Sequence, residues 1–567
     1  MHGIGVSPGI VIGKACIKAD SSIKVTKCGI EDTDKEIKRF LDAVKEVESS
    51  IEKVHKKVSE QLSKNEADIF SAHLLILHDP DMIEGVKENI KKEKVNAEWA
   101  LKEVIDSYSD AFDSIDDEYM RERRQDVKDV SEGIFKILLN LKEYNIENMN
   151  EGSVIIAKEI NPSEVVNMNK DKVFGFVTER GGKTSHAVII AKTKEIPAVV
   201  GVKKLMDSVK DGDTIVFDGD DGKIFVNPSS DIIEEYKKRK EEYLKVKKAL
   251  NMQKGLPTIT KDGHKVQLSA NIENEEDIEA AINNDAEGIG LYRTEFLFMN
   301  RSSAPSEEEQ FQVYKKIAVK TKDKPVIIRT LDIGGDKKAD YLHIPKEDNP
   351  FLGYRAIRLC LDKRDIFKTQ LRAILRASSF GNVKIMIPMI SCLDEVLIAK
   401  EIINEVKSSL NKEKIIFNDN IKLGIMIEVP SAAIISDILS REIDFFSIGT
   451  NDLIQYTHAV DRLNRNVANL YSPYSPSVLR LIKLVIDNAH SSGKFVGMCG
   501  EAASDPYLVP VYLGMGLDEF SMNSVSILRT RSIIRNLSFE EAKEKVKEVL
   551  KFRTCSEVEA FLKKDMF

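Results

Sequence analysis

Residues 423–452 read LGIMIEVPSAAIISDILSREIDFFSIGTND, and two short apolar segments flank a helix-like stretch within them. The segments LGIMIEVP (423–430) and FFSIGTND (445–452) are the length of strands and end on polar residues, which is typical of buried strands. Strands that alternate with helices predict an α/β architecture with a parallel sheet.

Six further segments of this kind occur in the C-terminal half of the chain: VQLSANI (266–272), GIGLYRTE (288–295), VIIRTLD (326–332), KIMIPMI (384–390), FVGMCGE (495–501) and EFSMN (519–523). Together the eight segments alternate with helix-like stretches between residues 266 and 523. That number and rhythm predict a (β/α)₈ barrel.

Polar side chains cluster where the predicted strands end: Asn271, Arg293, Arg329, Glu428, Asn451, Asp452, Cys499 and Asn523. In a (β/α)₈ barrel the C-terminal ends of the strands form the active-site face. An accidental arrangement would scatter these residues along the strands, so the pattern predicts a functional site at the barrel mouth.

Four arginines are candidates for binding an anion at this mouth: Arg293, Arg329, Arg355 and Arg462. The first three have apolar sequence neighbours, and a buried arginine is costly unless an anion or a carboxylate meets it. Several guanidinium groups at one mouth suit a substrate that carries both phosphate and carboxylate. The alternative is a set of internal salt bridges with Asp332, Glu295 or Asp336.

Two carboxylates and a thiol complete the predicted site at the ends of strands five to seven. Glu428 and Asp452, with substrate oxygens and water, would make a Mg²⁺ site. Their alternative role is to cap helices or to pair with the arginines. Cys499 lies between glycines in GMCGE and could protonate a carbanion or an enolate, the alternative being a buried, inert cysteine.

A lone histidine follows a double glycine in GGKTSHAVII, residues 181–190. Residues 173–178 predict a buried strand, and the stretch after them predicts a helix capped by Ser185 or Thr184. His186 would then lie in the first helical turn, where the helix dipole favours neutral imidazole and free N–H groups suit a phosphate. A satisfied structural histidine is the alternative.

Changes in hydrophobic periodicity and composition along the chain predict its domains. Residues 31–143 carry helical periodicity and predict a helical-bundle subdomain, which interrupts an α/β domain formed by residues 1–30 and 144–230. Residues 231–255 predict a charged linker helix, and residues 256–567 the barrel domain. The fold class is therefore a multidomain α/β protein.

Composition excludes several classes of protein. A net charge of −8 with mixed charges throughout argues against nucleic acid as a partner. There is no signal-peptide pattern and no apolar run long enough to cross a membrane, which predicts a cytoplasmic protein without membrane insertion. The six cysteines are scattered without CxxC spacing, so neither a zinc site nor a disulfide framework is indicated.

Nine motifs together resemble one family: GIGVSPGIVIGKA, DDEYMRERRQDVKDV, GGKTSHAVIIAK, EGIGLYRTEFLFM, IRTLDIGGDK, NPFLGYRAIR, IEVPSA, FFSIGTNDLIQYTHAVDR and GMCGE. Almost end to end, the chain is similar to the Enzyme I family of the bacterial phosphoenolpyruvate:sugar phosphotransferase system. The GG-x-TSHA element alone indicates only a phosphoenolpyruvate-utilising enzyme, whereas the N-terminal element and the helical insert are specific to Enzyme I.

The resemblance implies that His186 is phosphorylated on Nε2 by phosphoenolpyruvate and passes the phosphoryl group to a histidine of the carrier protein HPr. It implies phosphoenolpyruvate ligands at Arg293, Arg329, Asn451, Asp452 and Arg462, to which the anion argument adds Arg355. It also implies Mg²⁺ ligands at Glu428 and Asp452, and a proton donor at Cys499.

For the domains, the resemblance implies that the α/β domain is a phosphohistidine swivel domain, that the helical subdomain docks HPr, and that the barrel binds phosphoenolpyruvate and forms the homodimer. One departure from the family pattern is PSEV in place of PSET, since Val165 cannot hydrogen-bond His186 as a threonine hydroxyl would. A dikinase- or synthase-type relative and a non-catalytic phosphoenolpyruvate-sensing scaffold are the competing functions.

Overall fold

The chain folds into two compact units, Met1–Lys247 and Lys248–Phe567, in a computed structural model. The structure describes all residues except 19–24, 62–63, 114–117, 142–148, 183–184, 300, 336, 338, 465 and 565–567. Two residues of the sequence analysis, Thr184 and Asp336, therefore lie outside the described residues.

A seven-stranded sheet forms the centre of the first unit: β1 Ile4–Ser7, β2 Ile10–Ile17, β3 Ser153–Ala157, β4 Val173–Thr178, β5 Ala198–Val200, β6 Thr214–Asp218 and β7 Ile224–Val226. The strand order is β1-β5-β4-β3-β2-β6-β7. The four central strands are parallel, and β1, β6 and β7 run antiparallel to their neighbours at the two edges. The central strands are buried runs of Val, Ile and Phe, as parallel strands covered on both faces require.

Five helices lie in the chain between β2 and β3: α1 Thr33–Gln61, α2 Lys64–Leu77, α3 Pro80–Glu93, α4 Ala97–Asp113 and α5 Glu118–Leu138. Most of them share a core that includes Phe40, Val86 and Ile134. Val58 of α1 and Phe70 of α2 instead join the core beneath the sheet, so the bundle packs directly on the α/β part. The predicted helical interruption of an α/β domain is confirmed.

Four more helices complete the first unit and lead out of it: α6 Pro162–Asn167, α7 His186–Thr193, α8 Leu205–Ser208 and α9 Ser230–Asn251. The sequence predicts α9 to be a charged helix without a wide apolar face. Among its described side chains only Tyr236 is fully buried, and it packs with Ile10 and Val216. The division between the two units falls within this helix.

The second unit is a closed barrel of eight parallel strands: β8 Gln267–Ile272, β9 Gly288–Arg293, β10 Val326–Arg329, β11 Val383–Ile387, β12 Lys422–Ile427, β13 Phe445–Ile448, β14 Phe495–Met498 and β15 Glu519–Met522. All eight predicted strands are present in the predicted order. Seven of them end one to four residues earlier than predicted, because the predicted segments include residues of the turn that follows each strand. A second layer of apolar side chains, including Leu291, Met426 and Phe445, fills the barrel interior.

Helices surround the barrel and form the C-terminus: α10 Glu276–Asn283, α11 Glu307–Thr321, α12 Ile357–Asp362, α13 Arg364–Ala377, α14 Leu393–Lys412, α15 Pro430–Ile434, α16 Ser436–Leu439, α17 Thr450–His458, α18 Pro476–Ser491, α19 Val509–Met515, α20 Ile527–Arg535, α21 Phe539–Val549 and α22 Cys555–Lys564. Their inward faces and the outward faces of the strands make one continuous core.

Arg531 of α20 closes the barrel where the last helix meets the first strand. Its side chain is fully buried and forms a salt bridge with Asp285. It also donates to the Asp285 carbonyl at 2.8 Å and to Thr258 Oγ1 at 3.2 Å. These bonds hold the segment before β8 and the turn before β9 against α20.

We expect Arg531→Met to loosen this closure, because it leaves the Asp285 carboxylate without its buried partner, at a cost of about 3 kcal/mol. Hydrogen–deuterium exchange of β8 peptides in the intact protein should accelerate about 100-fold. Arg529→Met is the matched control, since Arg529 lies on the same helix, α20, and is exposed. Equal exchange in the two variants would contradict this role of Arg531.

Candidate active site

His186 is the first residue of α7 in the first unit. The N-cap position is Ser185, with φ −61° and ψ 143°, and its side chain makes no capping hydrogen bond. The strand before it, β4, spans the predicted residues 173–178. Gly181 between them has a φ of +116°, a conformation that only glycine adopts readily. The predicted strand, turn and helix start are thus confirmed, with Ser185 at the cap position.

A carboxylate from the helical bundle contacts the His186 ring. His186 Nδ1 lies 3.2 Å from Oδ1 of Asp126, a residue of α5. His73 of α2 places its Nε2 3.3 Å from the same oxygen. The Asp126 side chain is 4% exposed, His73 is 7% exposed, and His186 is 25% exposed. A single buried carboxylate oxygen therefore joins two histidines, and only one of these is open to solvent.

This contact determines which nitrogen of His186 can react. Burial raises the pKa of Asp126, but the hydrogen bonds from His186 and His73 outweigh it and lower that pKa to about 2. Asp126 is therefore ionised at neutral pH and can only accept hydrogen bonds. An acceptor at Nδ1 places the proton there and leaves the lone pair on Nε2.

Asp126 and His73 are functional candidates that the sequence analysis missed. Val165 is fully buried in α6, and as an aliphatic side chain it offers His186 no hydroxyl. The orienting acceptor comes from the bundle instead. The DVKDV segment contains two acidic residues on one helix, and no local signal distinguishes Asp126 from Asp129.

At the barrel mouth, buried arginines and carboxylates form one network. Arg329, at the end of β10, donates to Glu295 at 2.6 Å and lies 3.2 Å from Asp332. Arg355 donates to Asp332 at 2.9 Å and to Asp452 at 3.2 Å. The salt bridges that the sequence analysis gave as the alternative therefore exist for Arg329 and Arg355, with Asp332 and Glu295 as partners.

Lys337, which the sequence analysis did not single out, also belongs to this network. Its Nζ donates to Glu295 at 2.5 Å and to Asp332 at 3.3 Å. Burial raises the pKa of Glu295, but Arg329 and Lys337 outweigh it and lower that pKa overall. Burial likewise opposes ionisation of Asp332, yet Arg355, Lys337 and Arg329 bring its pKa well below the usual range. Both carboxylates are ionised and hold the cations in place.

Glu428 behaves differently from these two carboxylates. It directly follows β12, is buried, and accepts a 2.6 Å hydrogen bond from the Met389 N–H. Burial and the negative charges of Asp452 and Asp332 raise its pKa to about 8, although Arg329 and Arg355 oppose the shift. Around Glu428, burial and the neighbouring carboxylates together outweigh the two arginines.

Asn451 and Asp452 are in the first turn of α17, which corrects their predicted position at a strand end. Gly449 precedes this helix and packs closely on Glu428, since a Cβ at this position would lie 3.0 Å from Glu428 Oε2. Asp452 is buried and contacts both Arg355 and Arg462. Asn451 exchanges hydrogen bonds with Glu501 through its amide group.

Arg293 and Arg462 are the more exposed arginines of the mouth. Arg293 Nη1 lies 2.5 Å from Glu273, and Arg462 Nη1 lies 3.2 Å from Asp452. Their side chains are 33% and 27% exposed, compared with 3% for Arg355. Each is held by a carboxylate at one nitrogen and is partly exposed, so both can meet an incoming anion.

Cys499 follows β14 and packs in the apolar layer that fills the barrel interior, beside Met426 and Leu291. Burial raises its pKa to about 11, although the Ser447 hydroxyl and Arg329 lower it in part. The group is a protonated thiol at neutral pH. Asn271 holds this turn by donating to the Cys499 carbonyl at 3.0 Å, whereas Asn523 caps a short helix after β15.

The residues present fit a hard cation. In the part of the chain that the structure describes, no group of three or more His, Cys, Asp or Glu side chains could hold a metal ion alone. Glu428 and Asp452 offer only carboxylate oxygens, and Mg²⁺ typically takes one or two carboxylates and completes its shell with water and substrate. Burial, with the neighbouring carboxylates Asp452 and Asp332, disfavours the ionised form of Glu428 and raises its pKa, and a bound cation would oppose that shift.

Comparison with known proteins supplies the family. Family profiles match residues 2–123 (PEP-utilising enzyme, N-terminal), 149–222 (PEP-utilising enzyme, mobile domain) and 247–539 (PEP-utilising enzyme, PEP-binding domain). The phosphoenolpyruvate-protein phosphotransferase of Bacillus subtilis (strain 168) is 46% identical over 563 residues, 99% of each chain. The chain belongs to the phosphoenolpyruvate–protein phosphotransferase family.

A second full-length relative agrees with this family. The phosphoenolpyruvate-protein phosphotransferase of Geobacillus stearothermophilus is 47% identical over 564 residues, covering 100% of this chain and 98% of its own. An NMR solution structure of Enzyme I (nEIt) protein is 39% identical and covers 43% of this chain and 99% of its own, with a TM-score of 0.38. Among the described residues, every helix is too short or too polar to cross a membrane. The resemblance to the phosphotransferase family inferred from the motifs is confirmed.

The Asp126 contact predicts a pH-dependent contribution to stability. Lowering the Asp126 pKa from 3.8 to about 2 corresponds to about 2 kcal/mol of folding free energy. Because the pKa is depressed in the folded state, this stability is present above about pH 4 and is lost as the pH falls towards 2. The difference between wild type and Asp126→Asn should therefore shrink on acidification.

The measurement is urea unfolding followed by the fluorescence of Trp99, the single tryptophan, which lies in α4 of the same unit. Asp129→Asn, three residues along α5, is the control. A wild-type advantage over Asp126→Asn that is the same at about pH 5 and about pH 3 would contradict the assigned pKa.

Proposed function

We propose that this chain transfers the phosphoryl group of phosphoenolpyruvate to Nε2 of His186 and then to a histidine of the carrier protein HPr, releasing pyruvate. This is the first step of sugar uptake by the phosphotransferase system. The main support for the proposal is the geometry of His186. Its Nδ1 contacts the ionised carboxylate of Asp126, and its ring is partly exposed. The names of the full-length relatives support the same reaction.

The proposed phosphoenolpyruvate site is the barrel mouth, with Arg293, Arg329, Arg355, Asn451, Asp452 and Arg462 as its residues. Arg293 and Arg462 are exposed enough to contact phosphate and carboxylate directly. Arg329 Nε is buried and makes no hydrogen bond to any described group, so it is a further donor for an anion. Arg355 contributes its charge beside Asp452. Carboxylate partners pre-orient these guanidinium groups, which reduces the cost of rearrangement when the anion arrives.

Glu428 and Asp452 are the proposed ligands of Mg²⁺. When bound, the ion would neutralise charge on the phosphoryl and carboxylate oxygens of the substrate. The chain supplies two carboxylates that interact electrostatically, Glu428 directly after β12 and Asp452 in the first turn of α17. Arg355 and Arg462 hold Asp452 in place from two directions.

The proposed reaction has two steps, transfer of the phosphoryl group to His186 and protonation of the enolate that leaves. The Nε2 lone pair of His186 attacks phosphorus, the bond from phosphorus to the enol oxygen breaks, and the enolate of pyruvate departs. The Cys499 thiol then donates its proton to the methylene carbon, and the thiolate is reprotonated from solvent. Because its pKa is about 11, Cys499 is protonated when the enolate forms. In the transfer between His186 and HPr at the helical subdomain, Asp126 stabilises the positive charge on the His186 ring.

The wider organisation of the protein belongs to the same proposal. The helical subdomain, residues 31–143, would dock HPr, and the barrel would form a homodimer in the cytoplasm. One histidine cannot be at the phosphoenolpyruvate site and at HPr simultaneously, so the α/β domain, residues 1–30 and 144–230, must swivel. The linker helix, predicted at residues 231–255 and found as α9 Ser230–Asn251, is its proposed hinge, and such steps often limit turnover.

Incubation with ³²P-phosphoenolpyruvate and Mg²⁺ tests the proposal. Wild type should take up acid-labile label without ATP and pass it to HPr, whereas His186→Ala should take up none. Peptide mapping should locate the label on His186. Label that requires ATP would favour a dikinase-type reaction, and binding of phosphoenolpyruvate without labelling would favour a sensing scaffold.

Cys499→Ala should slow pyruvate formation about 100-fold, because the enolate loses its proton donor. Transfer between phosphorylated HPr and His186 does not use this thiol and should keep its wild-type rate, which shows that the variant is folded. Cys392→Ala, a half-buried cysteine elsewhere on the barrel, is the matched control. The role fails if pyruvate release from Cys499→Ala keeps pace with wild type in single-turnover experiments.

A further inference from the structure

His73 has no role in the proposed reaction, but it contacts Asp126, the residue that contacts His186. It lies on α2, 53 residues before Asp126 in the chain, and its Nε2 is 3.3 Å from Asp126 Oδ1. Its ring packs edge-on against Phe70 at 5.8 Å, so the ring orientation is set by a core residue. The structure thus connects the hydrophobic core of the first unit to His186 through two side chains.

The shared oxygen makes the two contacts interdependent. Asp126 is an exclusive acceptor, so each histidine must present an N–H to it: Nε2–H of His73 and Nδ1–H of His186. The Asp126 carboxylate can rotate about two side-chain bonds. Each rotamer places its two oxygens at different positions relative to α7. The bond from His73, whose ring is fixed by Phe70, selects one of these orientations.

We propose that His73 is a positioning residue for the His186 nucleophile: its Nε2–H holds the Asp126 carboxylate in the orientation that accepts Nδ1–H of His186 and leaves Nε2 as the reacting nitrogen. This inference rests on the proposed function for its kinetic consequence. Its structural consequence, a single tautomer of His186, is independent of any reaction. Orienting partners of this kind are typically worth 10- to 100-fold (roughly) when they are removed.

His73 also lines a cavity of about 540 Å³ that is bordered by α1, α5 and the start of α6. A smaller or more polar side chain at position 73 can therefore be accommodated with water instead of leaving an empty space in a closed core. This makes the position suitable for substitution. Changes that remove the N–H donor can be compared with changes that keep it.

The test compares His73→Phe, which keeps a ring against Phe70 but has no donor, with His73→Gln, which retains an N–H near the position of Nε2. His78→Gln is the matched control, because His78 follows the same helix and pairs with Glu48 through Nε2 at 2.9 Å while remaining half exposed. The full-length protein is labelled with ¹⁵N-histidine and studied by magic-angle-spinning NMR at about pH 8, above the ordinary histidine pKa of about 6.5. His186 signals are assigned by difference with His186→Gln.

In wild type, His73→Gln and His78→Gln, the His186 ring should show one tautomer with the proton on Nδ1. In His73→Phe it should divide between the two tautomers. Labelling of His186 by the phosphorylated carrier protein, in the reverse transfer that takes place at the bundle, should slow about tenfold in His73→Phe only. Labelling by phosphoenolpyruvate should keep its wild-type rate, since the proposed swivel carries His186 away from the bundle for that step.

Two results would overturn the inference: an unchanged His186 tautomer in His73→Phe, or an equal loss of rate in His73→Phe and His73→Gln, which would mean that packing and not the N–H donor matters. Failure of the proposed function is distinguishable from both, because wild type itself would then take no label while the tautomer comparison still gives its answer.

Discussion

Parallel strands in a closed barrel all end at the same face, and the arrangement of the second unit depends on this constraint. β10, β12 and β14 bring Arg329, Glu428 and Cys499 to one mouth although they are far apart in the chain. The apolar layer inside the barrel excludes water from below. Buried charges at the mouth must therefore satisfy one another, and this requirement produces the network of arginines, lysine and carboxylates.

The sequence presents anion binding and internal salt bridges as alternative roles for the arginines, and in this network the two roles are compatible. A salt bridge between Arg329 and Glu295 does not prevent Arg329 from binding an anion, since one carboxylate occupies only part of a guanidinium group. Ionised partners such as Asp332 instead fix the direction of the remaining N–H groups. The exception is Arg355. Its guanidinium group already donates hydrogen bonds to Asp332, Asp452 and Tyr456, so it contributes mainly charge and rigidity.

The sequence predicts more of the barrel than of the histidine site, for a physical reason. Strand positions and polar strand ends are local signals, so all eight strands and the clustering of Arg329, Glu428 and Cys499 could be predicted. The sequence predicts that Asn451 and Asp452 end a strand. Gly449, which lies between apolar and polar residues, does not indicate that a helix begins there. Lys337 follows a double glycine in an irregular loop, where periodicity carries no information.

The partnership of His186 with Asp126 could not be predicted, because it depends on how a helical bundle packs on a sheet. β2 and β3 are parallel neighbours, and such strands need a crossover connection, which here is the whole bundle. The packing of Val58 and Phe70 beneath the sheet then places α2 and α5 beside α7. The orienting carboxylate consequently belongs to the same compact unit as the nucleophile. Asp126 belongs to the helical subdomain and His186 to the α/β domain, so the contact fixes the His186 tautomer only while the bundle and the sheet are packed together, and a swivel of the α/β domain alone would break it.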